Sequence, residues 1–186
     1  MFLKEGTYAE GCRAPGANTG RNSKMKLCGN AALALFGLLL GASACCAQAL
    51  QTHRVPAALA LEAVGEAVSS CAQHGYRETA VLVDADGATI ASLRGDGAGI
   101  HTIDSAHDKA YTSVSFKTDT IALAELAKNE IAGLAKLPHV LFFGGGVVVK
   151  IGDEVVGAIG AAGAPGAMLD HNCAHAGLDT IKDRLK

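Results

Sequence analysis

The chain has 186 residues, with 16 Lys and Arg against 18 Asp and Glu, seven His, six Cys and no Trp. Residues 50–186 hold 11 basic and 16 acidic side chains, scattered rather than clustered, which excludes a nucleic-acid surface built on massed Lys and Arg. These 137 residues suffice for one ordinary domain with its own core.

Met25, Lys26 and the apolar run over residues 31–40 form a short basic start followed by a hydrophobic stretch, and Ala47-Gln48-Ala49 supplies an A-x-A cleavage site. This predicts a signal peptide over residues 25–49, a mature chain from Leu50, and a periplasmic or secreted location. The run is shorter than the roughly 20 residues a membrane helix needs, so no stable membrane span is expected. Residues 1–24 lack apolar periodicity and precede a Met that starts the signal better, so they read as a non-native or mis-called upstream extension. Only Cys71 and Cys173 follow the cleavage site. They can pair in an oxidising compartment, but each lies in an apolar helical pattern and is read first as a small buried hydrophobe.

Residues 55–74 carry Leu61, Val64, Val68 and Cys71 at steps of three and four, with Pro56 near the start and Gly75 as the stop, which predicts a helix. Residues 79–84 and 88–94 flank Asp84-Ala85-Asp86-Gly87 and predict an antiparallel hairpin. Helical spacing returns over 103–117 and 120–134, with Asp119 and Thr120 available as caps. Residues 141–143, 147–151 and 155–162 read as strands, and Ala174, Leu178, Ile181 and Leu185 put one stripe on a terminal helix. The order predicts an α/β (α+β) domain over residues 50–186, a mostly antiparallel sheet with helices on both faces in three layers, rather than a Rossmann fold.

There is no Walker A loop, G-x-S-x-G elbow, H-E-x-x-H or paired C-x-x-C, so no enzyme class is indicated. Gly144-Gly145-Gly146 does not open a helix and is read as a bulge or close-packing element. The loop from Gly163 to Gly166 leads into the terminal helix, whose free N–H groups can receive a carboxylate; a plain turn is the alternative. His171 and His175, four apart on that helix, have the spacing of two metal ligands and need a further one. His101 and His107 bracket the start of the second helix and can each supply a third ligand or an axial haem ligand. Lys109 can reach an anion over Ala106 and Ala110 or lie on a solvated face. Arg94 can hold a carboxylate ligand or pair with a local Asp.

Several segments in this order carry a resemblance. They are Val81 to Gly87; Arg94 with Asp96-Gly97-Ala98; Ala106-x-x-Lys109-Ala110-x-Thr112 with Phe116; Gly145-Gly146; residues 155–160; Gly163-Ala164-Pro165-Gly166; and Asp170. Together they make the chain similar to the GlcG/HbpS-like proteins, which include the carboxy-terminal domain of PduO-type proteins. Val148 and Ala162 depart from the pattern, where proline and serine are common. The resemblance implies a profilin-like fold with a five-stranded antiparallel sheet, a homo-oligomer and, for some members, haem or iron binding linked to redox sensing or haem handling.

The leading expectation is an exported haem-binding protein with His171 as first ligand, His101 or His175 next, and Lys109 or Arg94 on the propionates. A small-carboxylate or hydroxy-acid binding accessory protein or enzyme, using Arg94, Lys109 and the helix start after Gly166, is the second. A non-catalytic oligomeric module is the third.

Overall fold

The computed structural model describes residues 52–128 and 131–186; the leader and cleavage-site expectations lie outside them. Helix α1 (Ala57–Gln73) buries Ala60, Ala63, Val64, Ala67 and Cys71, the stripe its spacing predicts, and Gly75 at φ 81° turns the chain out of it. Strands β1 (Thr79–Asp84) and β2 (Thr89–Arg94) form the expected hairpin, its turn held by Asp84 Oδ1, which accepts from the N–H groups of Asp86 and Ala88.

Helix α2 spans His101–Phe116 and ends at Lys117, which takes a left-handed conformation at φ 54°. Beyond it, the single helix expected over 120–134 is broken. A seven-residue α3 (Thr120–Leu126) is separated from a 3-10 turn (Ala132–Lys136). Past Leu126 the apolar residues face outward, Leu134 being 37% and Leu137 51% exposed, so no packing sustains a longer helix. Strands β3 (Gly146–Ile151) and β4 (Glu154–Ala162) form a second hairpin, and α4 (Ala167–Ile181) follows. Among the described residues no helix is long and apolar enough to cross a membrane.

The sheet order is β2-β1-β4-β3, antiparallel throughout, with four strands among the described residues instead of five. Residues 141–143 are irregular. The edge of β3 where a further strand would pair is occupied by side chains: Val148 N donates to Asp119 Oδ1 at 2.9 Å and Gly146 N to Thr120 Oγ1 at 2.8 Å. Asp119, expected to cap α3, makes no side-chain cap hydrogen bond and serves this edge instead.

Alternation along β1 sends Ala80 and Leu82 into a core with α1 and α4, and Val81 and Val83 into a second core with Ala106, Ala110 and Val114 of α2. The three-layer arrangement is therefore as expected. Helix α2 lies directly on glycines: a Cβ at Gly160 would sit 1.9 Å from Ala106 O, and one at Gly146 2.3 Å from Lys109 O. On the opposite face Cys71 of α1 and Cys173 of α4 form a disulfide, with Cα atoms 5.6 Å apart. This corrects the reading of two unpaired thiols. Both sit on the facing stripes of two packed helices, which brings them within bridging distance.

Candidate functional site

Lys109 is neither solvated nor free. It is 2% exposed, and its Nζ donates to Asp170 Oδ2 at 2.5 Å and to Ala161 O at 2.9 Å, with the Phe143 ring centroid 5.2 Å away. A buried ammonium needs such a partner set, because desolvation would otherwise favour its neutral form. Asp170 is fixed from its other side, Oδ1 accepting from Ala164 N at 2.8 Å.

Glu78, 1% exposed, completes a buried triad. Burial, then the negative Asp170 and a hydrogen bond to it, push the Glu78 carboxyl up to about 8, against the opposing charge of Lys109. Glu78 Oε1 is buried without a hydrogen-bond partner, which disfavours the charged carboxylate further. Glu78 Oε2 lies 3.3 Å from Cys71 Sγ, which as a disulfide sulfur can only accept.

A pH dependence follows. Folded Glu78 keeps a proton that the unfolded chain, with a pKa near 4.5, releases. Its contribution to stability is therefore full below pH about 4.5, declines as pH rises, and is lost above about 8. Denaturant titrations across this window should show a fall of roughly 1 kcal/mol per pH unit, and Glu78→Gln should flatten it. An unchanged slope in the variant would assign the dependence to other groups.

Lys109 lines a chamber of about 240 Å³ with His101, Thr102, Ser105, Gly163 and Ala164. Gly163 at φ 142° brings the loop so close that a Cβ would stand 2.2 Å from Arg77 O. The structure thus gathers His101, Lys109 and Gly163. Arg94 opens instead onto a different cavity of about 330 Å³, beside Arg77, Glu78 and Asp96. Gly166 precedes α4 in extended conformation. Because Asp170 already neutralises Lys109, the chamber offers an anion little net attraction.

His171 and His175 stand edge to face, ring centroids 4.7 Å apart, and Asp119 joins them, its Oδ2 lying 3.9 Å from His175 Nε2. His171 Nδ1 is buried without a hydrogen-bond partner. Burial and then the neighbouring His175 hold the His171 imidazole below its ordinary pKa, with Asp119 opposing.

A second group, largely missed in the sequence, sits where α2 meets the segment after the 3-10 turn. Asp108 Oδ1 is 3.1 Å from His107 Nδ1 and 2.9 Å from His139 Nδ1. His139 has a left-handed backbone, φ 62°, beside Thr112 Oγ1, which donates to Asp108 O at 2.7 Å and accepts from Leu141 N at 2.8 Å. The Tyr111 ring lies 5.8 Å from that of His139, and both line a cleft of about 470 Å³ with Phe116, Leu137, Pro138 and Val140. His107 was singled out by its position on α2, but His139 follows Pro138 in a segment without periodicity, so no sequence pattern marks it.

Residues 55–179 match the family described as haem degrading protein, HbpS-like. Among solved structures, a double mutant of Streptomyces reticuli HbpS is 35% identical, with a TM-score of 0.69 over 72% of this chain and 90% of that one. Klebsiella pneumoniae ORFY is 23% identical, with a TM-score of 0.66 over 71% of this chain and 93% of its own. The PduOC:haem complex is also 23% identical, with a TM-score of 0.65 over 69% of this chain and 95% of that one. The last two share the fold. Among curated protein sequences none matches. The extent of the family match and the identity to HbpS together show that the chain belongs to the HbpS-like family of haem-degrading proteins.

Proposed function

We propose that the protein binds haem in the cleft between α2 and residues 137–140, with His139 as an iron ligand. The observation that carries this reading is the His139 geometry: an imidazole on the cleft wall whose Nδ1 meets Asp108 at 2.9 Å, leaving Nε2 for a metal. A ligating imidazole is characteristically oriented by such a carboxylate on its other nitrogen. His and Tyr are both axial ligand types, and Tyr111 is beside it. The cleft's volume of about 470 Å³ falls within the roughly 300–1,000 Å³ of cofactor sites, whereas the chamber at Lys109 is smaller. Lys117 follows Phe116 and Lys136 precedes Leu137; both are exposed, and they supply the cations for two propionates.

His171, first choice in the sequence, lines neither this cleft nor the Lys109 chamber. Lys109 is already paired, so it is not the propionate cation. Bound haem would supply redox and oxygen chemistry; the chain's residues orient it and shield one face from water. That PduOC is solved with haem supports the fold's capacity for this ligand. Export through residues 25–49 and a homo-oligomer, for which exposed Leu126, Leu134, Leu137 and Phe143 offer apolar surface, belong to the same proposal.

The test is a haemin titration of the purified protein read at the Soret band. A saturable shift with one equivalent is expected, weakened at least about tenfold by His139→Ala, a loss of about 1.4 kcal/mol. No saturable shift, or a shift lost in His171→Ala and kept in His139→Ala, overturns the assignment.

A further inference from the structure

We infer that Asp119, His171 and His175 form a binding site for a divalent first-row transition ion, sharing no residue with the haem cleft. The two histidines come from successive turns of α4, and Asp119 from the start of α3. One donor atom from each lies within 4.8 Å of the others. Bonds of about 2.0–2.2 Å to a common ion require donors roughly 3 Å or more apart, so small side-chain rotations close the site.

The contrast with the His107–Asp108–His139 group shows which of the two has room for an ion among its three side chains. There, both imidazoles already meet the carboxylate through Nδ1 at hydrogen-bond distance, 3.1 and 2.9 Å, so no ion fits among the three, and it is the other ring nitrogen of His139 that the haem reading uses. Here the Asp119 to His175 separation of 3.9 Å is too long for a hydrogen bond, yet suits two donors facing one ion. His171 Nδ1, out of water and unpartnered, is a lone pair or a proton left without use. A metal bond to it would remove that cost.

The carboxylate is also held in place. Asp119 Oδ1 accepts from Val148 N on the β3 edge, so Oδ2 is the oxygen left for an ion. Two imidazoles and a carboxylate favour zinc or ferrous iron over calcium or magnesium, which take oxygen ligands. Three protein ligands leave further positions for water or an exchangeable ligand.

The experiment is calorimetric titration of the purified, metal-stripped protein with Zn²⁺, repeated with Co²⁺ and followed by its visible absorption. One equivalent is expected, with an imidazole-type Co²⁺ spectrum. His175→Gln changes a half-exposed side chain, and Asp119→Asn keeps the oxygen that accepts from Val148 N, so both should fold, as circular dichroism would check. Each should weaken Zn²⁺ binding at least about tenfold. No stoichiometric ion in the parent, or parent-like affinity in either folded variant, overturns the site. Haemin titration of the same variants separates this result from the haem reading, because neither substitution touches the cleft.

Discussion

Replacing both Cys71 and Cys173 by Ala should lower unfolding stability by about 2–5 kcal/mol and the melting temperature by on the order of 10 °C. The bridge joins residues 102 apart in sequence, so it closes a loop over most of the described domain. In the chain-entropy account a closed loop of about 100 residues is worth roughly 4.7 kcal/mol, because the unfolded chain loses so many conformations. The α1–α4 interface contributes little compensation on loss of the bond, since most of its buried residues are small, Ala60, Ala63, Ala67, Ala174 and Gly177 among them, with few atoms to repack. Thermal denaturation of the double variant beside the oxidised parent measures this. The reduced parent should melt near the variant, whereas equal melting of all three would mean the sulfurs do not pair. Cys71 is fully buried and Cys173 nearly so, so reduction without denaturant should be slow.

Lys109→Met should be comparably damaging, costing about 3–5 kcal/mol in urea denaturation. The loss comes less from the missing ammonium than from what it leaves behind, the Asp170 carboxylate 2% exposed beside the Glu78 carboxyl. Adding Asp170→Leu should recover most of the loss, because an apolar pair of similar size carries no stranded charge. If the double variant is as unstable as the sum of the two single ones, Lys109 and Asp170 are not coupled and the triad is misread. Ala164 N loses its acceptor in the double variant, so recovery should be incomplete.

Periodicity made much of the fold legible: α1, both hairpins, α2 and α4 appear within a few residues of their expected places. These elements bury one continuous stripe or alternate strictly, so the local pattern carries the answer. Where it failed, the deciding contact came from far along the chain. Nothing local in residues 120–134 tells that Leu134 will find no core, and nothing near Asp119 announces that its oxygen will serve Val148 instead of its own helix. Cys71 and Cys173 looked like core residues because they are core residues; pairing depends on how two distant helices face each other.

The site divides in the same way. His171 and His175 were visible as a pair by helical spacing, but the third member, Asp119, belongs to another element. His101, Lys109 and Gly163, each singled out separately in the sequence, line one chamber, yet the acids that set the chemistry there, Glu78 and Asp170, are contributed by β1's approach and α4. Arg94 was grouped with Lys109 by charge alone, and the hairpin carries it to a separate cavity.

The blocked outer margin of β3 also bears on how copies of this protein can aggregate. A sheet grows into a fibre only if each unit offers two open sides, one to accept a neighbour and one to offer to the next. Asp119 and Thr120 occupy two outward N–H groups of β3, which leaves β2 as the accessible margin among the described residues. Two copies joined there would have consumed their free margins, so strand-to-strand growth stops at a pair. Substituting Asp119 or Thr120 by a side chain without an acceptor would reopen the second side and, with it, the route to indefinite stacking.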